Sequence, residues 1–352
     1  MKSSDDTASA PEPRANPELI GHEAAEAGLR RLAESGRMPH AILISGPRGI
    51  GKATLAFRLA RFVLAPPGER EGGEGLAIAP DSGVFRRIAS GGHADLLTVE
   101  RAYDPRRKRL RSDIVVEDAR EIGTFLHLTP AEGGWRVVIV DGADEMNRSA
   151  ANSLLKILEE PPRLALLLLV AHSVGRLLPT IRSRCRRLPL SPLPVGTVRR
   201  LLGRYRPDLA AADAEAIATL AGGSIGAALD LADAGGLDLY RSLLDLLTRP
   251  RVPELHAFAD RLARPDAEDS YRLVEELIGQ VLARLARQAA GHASTEAIGI
   301  AGLEPLVARA PARVWAGLRD EIGESFNRAD GHNLDRKQAL LGAFFAIERA
   351  AG

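Results

Sequence analysis

The sequence predicts an α/β domain built on a five-stranded parallel sheet, followed by purely helical parts. Strand-like and helix-like segments alternate from residue 18 to about residue 190, which is how a parallel sheet is threaded. A glycine-rich loop stands at the first strand-to-helix junction. Beyond Ser191-Pro192-Leu193-Pro194, a run that breaks regular structure, no segment reads as a strand.

Taken in order, residues 1–17 are rich in Ser, Asp, Ala, Pro and Glu and have no apolar core, so they read as a disordered tail rather than a signal peptide. Ala41–Ser45 is a short buried strand, and residues 53–64 carry helical apolar spacing. Residues 66–92 are loaded with Gly, Pro and Glu and read as a long surface insertion. Asp95–Val99 is the second strand. Arg106-Arg107-Lys108-Arg109-Leu110-Arg111 puts five cations in six residues, in a loop before a helix at Asp113–Arg120. Contact with DNA phosphates is one reading of that run. A solvated loop is the other, and Glu100, Asp104, Asp113, Glu117 and Asp118 favour it by cancelling its field beyond a Debye length.

The remaining strands are Arg136–Val140, Leu166–Val170 and Arg187–Leu190. Between them Asn147 is a good N-cap, Leu154, Leu155 and Leu158 form one apolar face, and Pro161-Pro162 ends the helix. Short helices follow from Gly196 to about Ala234, then amphipathic helices such as Ser270–Arg287 and Pro311–Arg328. The expected parts are a tail (1–17), an α/β domain (18–192), a small helical domain (193–236) and a larger one (237–352).

Bulk properties exclude several classes. The 352 residues are 45% hydrophobic and 26% charged with net charge +1, so no global attraction to nucleic acid or membrane is implied. Aromatics at 4% argue against a base-stacking surface. One cysteine, Cys185, rules out an internal disulfide and a thiolate zinc site. The longest apolar run, Leu164–Ala171, has eight residues, far below the ~20 that span a bilayer. A cytoplasmic protein without a membrane partner is expected.

The chemistry begins at Gly46-Pro47-Arg48-Gly49-Ile50-Gly51-Lys52-Ala53. It follows the phosphate-loop pattern Gly-x-x-x-x-Gly-Lys but lacks the closing Ser or Thr. Loop amides and a helix N-terminus make an anion site, with Lys52 adding a point charge. Ala53 stands where a hydroxyl would ligate Mg²⁺. Thr54 is a poor substitute, because one helical step turns the side chain by ~100°. Asp141 ends an apolar strand, the place of a Mg²⁺-holding carboxylate, yet Gly142 replaces the Glu that would orient attacking water. Asp144 and Glu145 lie further on, where the chain is expected to have turned away. The candidate nucleotide-binding set is therefore Gly46, Gly49, Gly51, Lys52, Thr54 and Asp141. In Thr180-Ile181-Arg182-Ser183-Arg184-Cys185, the planar fork of Arg184 suits charge developing on a transferring phosphoryl group.

The loop 46–52, the segment Asn152-Ser153-Leu154-Leu155-Lys156-Ile157-Leu158-Glu159-Glu160-Pro161-Pro162 and the triplet Ser183-Arg184-Cys185 together resemble the bacterial clamp-loader subunits of DNA polymerase III, a group of AAA+ proteins, and among them the delta-prime type. The resemblance covers residues ~18 to ~235 and reaches the C-terminal part only as helical texture. It implies an AAA+ domain, a helical lid and a helical collar for oligomerisation. It also implies that Arg184 acts as an arginine finger on a neighbour's ATP. The implied partners are motor subunits of gamma/tau type, the delta subunit, the sliding clamp and primed DNA. Motor subunits of the family carry the loop hydroxyl, an Asp-Glu pair and a lid arginine; here those places hold Ala53, Gly142 and Gly226. Loss of chemistry in cis with a finger kept in trans points to a stator with no required cofactor, and leaves ATP bound without turnover open. An active gamma/tau-type motor is the alternative, and Ala53 and Gly142 count against it. Many relatives have a four-cysteine zinc module after the first helix. None is present here, so no zinc is expected and His93 reads as a turn residue.

Overall fold

The computed structural model describes residues 10–70, 73–104, 109–132, 134–291, 303–332 and 334–351. The chain divides into two compact units, Met1–Leu201 with Gly223–Gly226 and Leu202–Gly222 with Ala227–Gly352. The first holds α1 (Glu23–Glu34), β1 (Ala41–Ser45), α2 (Lys52–Leu64), α3 (Gly83–Ala89), β2 (Leu96–Val99), β3 (Tyr103–Asp104), β4 (Arg109–Leu110), α4 (Val116–His127), β5 (Arg136–Asp141), α5 (Arg148–Glu159), β6 (Ala165–Ala171), α6 (Pro179–Arg184) and β7 (Arg186–Pro189).

Five strands form one sheet in the order β2-β5-β6-β1-β7, every neighbouring pair parallel. Every residue of β1 and of β6 is buried, as expected where helices cover both faces of a parallel sheet. Successive side chains alternate between two cores. Ile42, Ile44, Val137, Ile139, Leu166 and Leu168 meet α1, α2 and α3 on one face. Leu43, Val138, Val140, Leu167 and Leu169 meet Ile122 of α4, Leu154 and Leu158 of α5 and Ile181 of α6 on the other. Cys185 lies in the second core at 8% exposure, and burial pushes its thiol up to about 11. The α5 cap is as the sequence predicts, with the Asn147 carboxamide accepting from the Ala150 N–H at 2.9 Å.

Three segments differ from the sequence reading. The stretch 66–92 is not a surface insertion. Leu76, Ile78, Val84, Phe85 and Ile88 are buried in the first core, Ser82 caps α3 by accepting from the Phe85 N–H at 3.0 Å, and the Arg61 guanidinium sits 4.4 Å from the Phe85 ring centre. Sparse apolar anchors do this work inside a polar, glycine-rich composition. The basic run is not all loop: β3 and β4 pair antiparallel, with Tyr103 opposite Leu110 and Asp104 opposite Arg109, while 105–108 lie outside the described residues. Of the expected tail, 1–9 also lie outside them. Residues 16 and 17 are held against α2, where Arg61 Nη2 donates to the Asn16 carbonyl at 2.6 Å and Arg58 donates to the Pro17 carbonyl. His93 is a buried turn residue whose Nδ1 accepts from the Asp95 N–H at 3.2 Å.

Beyond β7 the elements are α7 (Val195–Tyr205), α8 (Ala211–Leu220), α9 (Ile225–Asp233), α10 (Gly236–Thr248), α11 (Val252–Leu262), α12 (Glu268–Ala289), α13 (Glu304–Val307), α14 (Ala312–His332) and α15 (Arg336–Ala350). Among the described residues the second unit is helical. Its helices are joined by edge-to-face rings, Tyr271 on Phe326 and Phe258 on Phe344, each pair 6.2 Å apart. Among the described residues no helix is long and apolar enough to cross a membrane.

Candidate functional site

In a parallel α/β sheet, ligands bind at the C-terminal ends of the central strands. Three strand ends converge there. β1 runs into Gly46, whose N–H donates to the Ala171 carbonyl at the end of β6 at 3.3 Å. β5 ends in Asp141, which is registered against Val170. The loop 46–51 then delivers the chain to the N-terminus of α2, whose first amides have no partners within the helix and favour an anion.

Lys52 opens α2 with only 3% exposure, and its Nζ donates to the Pro47 carbonyl. Burial lowers its pKa to about 8, with Asp141 and Asp144 opposing that shift and Arg48 adding to it. Burial likewise raises the pKa of Asp141, helped by Glu100 and Glu145 and opposed by Lys52. Gly46, Gly49, Gly51, Lys52 and Asp141 are thus brought to one place. Thr54 is 7% exposed within α2, one step round from the position that a metal hydroxyl requires. These residues fit phosphate groups, while Ala53 offers no hydroxyl to a Mg²⁺ ion.

The acids after Asp141 do not point away, which corrects the sequence reading. Residues 143–145 form a 3-10 turn that brings both back. The Asp144 carboxylate accepts from the His172 and Ser173 amides at 2.8 and 2.9 Å, tying the β5 end to the β6 end. Glu145 Oε2 lies 2.8 Å from Arg101 Nε, and Oε1 pairs with Arg48. Gly142 has φ +85°, and a Cβ there would lie 2.7 Å from Glu145 Oε2. A side chain at position 142 would be strained by that backbone conformation and would have to push the Glu145 carboxylate aside.

His172, which follows β6, is a further member of the site that the sequence did not suggest. Burial lowers its pKa to about 4, with Lys52 and Arg48 adding to the shift, so the imidazole is neutral at pH 7. The only sequence signal was its place at a strand end beside the loop.

Position 226 is closed in a similar way. The turn 223–226 belongs to the first unit, where the Leu193 N–H donates to the Gly223 carbonyl at 2.8 Å and the Gly226 N–H donates to the Gly49 carbonyl at 3.0 Å. A Cβ at 226 would lie 2.8 Å from Gly49 Cα. Gly226→Arg is therefore expected to act as overpacking and destabilise the unit by about 1–3 kcal/mol. Thermal melting checks this; an unchanged or raised midpoint would mean that the turn opens freely.

Arg184 lies apart from this cluster. At the end of α6 its Nη2 is 2.9 Å from Glu159 Oε1, and its Nη1 donates to the Thr180 carbonyl at 3.1 Å. Its side chain is 36% exposed. The two sequence motifs, 152–162 and 183–185, are thereby joined in space.

The family described as DNA polymerase III, delta subunit, matches residues 21–194. A DNA polymerase III subunit delta' from Pseudomonas aeruginosa is 38% identical over 187 residues, 53% of each chain. One from Bacillus subtilis is 34% identical over 165 residues, 47% of this chain and 46% of that one. This chain belongs to the DNA polymerase III clamp-loader family. A gamma/tau subunit from Mycobacterium tuberculosis is 32% identical over 271 residues, 74% of this chain and 45% of that protein, so kinship extends to both kinds of clamp-loader subunit. The chain spans about half the length of the curated relatives it matches. A solved gamma subunit-related protein from Thermotoga maritima is 20% identical, covering 92% of this chain and 99% of that one with a TM-score of 0.42.

Proposed function

We propose that this clamp-loader family member is the delta-prime-type stator of its complex and hydrolyses no ATP of its own. On this reading it donates Arg184 to the ATP of a neighbouring gamma/tau motor subunit while a sliding clamp is opened and closed around primed DNA in the cytoplasm. The delta subunit is the other protein partner. Residues 18–192 act as the AAA+ module, 193–236 as the lid and 237–352 as the collar. Nucleotide held on Gly46–Lys52 would not be turned over, and no zinc is needed.

The observation that carries the reading is steric. A Cβ at Gly226, one of the three hydrolytic positions lost, would lie 2.8 Å from the Gly49 backbone, and Gly142, another, has φ +85°, where an L side chain is strained, whereas Arg184 remains at the surface. A gamma/tau-type motor would need all three positions in use.

The reading makes a testable demand on Ala53. Ala53→Thr restores the one missing group that fits, yet turnover of Mg²⁺-ATP should stay at background, because no residue orients the attacking water. Phosphate release by the purified full-length variant measures this. Robust turnover in that single mutant would remove the stator reading and favour a motor.

A further inference from the structure

The cations around the phosphate loop are already engaged. Lys52 donates to Pro47, and Arg48 and Arg101 both end on Glu145. Of the four carboxylates nearby, Asp144 is committed to two backbone amides, and Glu100 and Asp141 make no ion pair with either arginine among the described residues. Glu145 alone bridges two guanidiniums that come from separate segments, the loop itself and the turn after β2.

Its main chain fixes where that carboxylate can go. The Glu145 N–H donates to the Gly142 carbonyl at 2.8 Å, and its C=O accepts from the Ile114 N–H at 2.9 Å. With the backbone pinned, the side chain runs back over Gly142, where the absent Cβ leaves room. The carboxylate is only 12% exposed and Arg101 27%, whereas Arg48 is 63% exposed, so the pair with Arg101 is the better shielded of the two.

We propose that Glu145 is an internal anion that occupies the nucleotide site of this chain, holding Arg48 and Arg101 in place of the phosphates of a nucleoside polyphosphate. The inference rests on the phosphate-loop reading of Gly46–Lys52. A polyphosphate entering the site must displace the carboxylate from both arginines and also meets its like charge. Removing one acid should therefore improve binding of an anion that carries no metal.

The test is calorimetric titration of the full-length chain with ADP, and separately with pyrophosphate, in EDTA. Glu145→Gln and Glu145→Ala are compared with the parent, each checked for an unchanged melting profile. The turn's two backbone hydrogen bonds do not use the side chain, so both variants should fold. Both should bind about tenfold tighter than the parent or better, and adding Lys52→Ala to Glu145→Gln should remove the gain. Binding by both variants no tighter than the parent's, or absent in all three proteins, overturns the proposal. If in that case Lys52→Ala abolishes the parent's own binding, the phosphate-loop reading stands and only the role of Glu145 falls. A gain that survives Lys52→Ala would place the anion elsewhere and overturn both.

Discussion

Arg184→Ala is expected to slow hydrolysis at the adjoining ATP site by a factor on the order of 10³, the low end for loss of an arginine finger, with the complex still assembled. The guanidinium is exposed enough to be presented, and its partner Glu159 is 52% exposed. An exposed pair of this kind contributes little stability, so exchanging Glu159 for a phosphate oxygen costs little and the substitution should not unfold α6. The measurement is ATP hydrolysis and clamp loading by the complex reconstituted with motor subunits of the same genome on clamp and primed DNA. Bulk turnover will fall only by the share of the site this chain serves, so single-turnover rates are the sharper readout. Arg184→Lys should recover little, since a point charge does not reproduce the bidentate fork. Unchanged loading with Arg184→Ala would make Ser183-Arg184-Cys185 a structural turn and leave the chain a role in assembly alone.

Glu26→Gln should have the largest effect on stability. Glu26 pairs with Arg58, their side chains 7% and 6% exposed, and Arg58 also donates to the Pro17 carbonyl. Removing one partner leaves a buried cation uncompensated, which costs about 3–5 kcal/mol. For a unit of this size that corresponds to a fall in melting temperature of roughly 6–20 °C. Replacing both partners with apolar residues, as in Glu26→Leu with Arg58→Met, should recover much of the loss. Calorimetry of the two single and double variants decides it; a shift of under about 2 °C for Glu26→Gln would show that water reaches the pair. The effect should extend to the site, because the segment that Arg58 and Arg61 hold down leads into His22, whose Nε2 donates to the Ile50 carbonyl of the phosphate loop at 2.7 Å.

These contacts mark where the sequence was legible. The central strands β1, β5 and β6 were readable because strands covered on both faces are apolar runs, and the α5 cap because Asn before a helix has a local mechanism. The phosphate loop and Asp141 were readable from spacing. The core role of 66–92 was not, since Leu76 and Ile78 stand alone in a glycine-rich stretch and Val84, Phe85 and Ile88 mark a helix of only seven residues. Glu145 was missed because a 3-10 turn, rather than a continuing loop, reverses the chain after Gly142. Arg101 and Glu145 meet across 44 residues, and Arg58 and Glu26 across 32; no local pattern announces either pair. His172 belongs to the site through strand order, which places the β6 end beside β1.

Cys185 makes the chain convenient for spectroscopy. Alkylating reagents attack the thiolate, and a thiol titrating at about 11 is ionised to only about one part in 10⁴ at pH 7. A cysteine introduced on an exposed helix, with an ordinary pKa of about 8.5, would have a few hundred times more thiolate. A maleimide dye added briefly at neutral pH should then mark the new position with the native cysteine left in place, and fluorescence could follow Arg184's neighbourhood without altering the residue beside it.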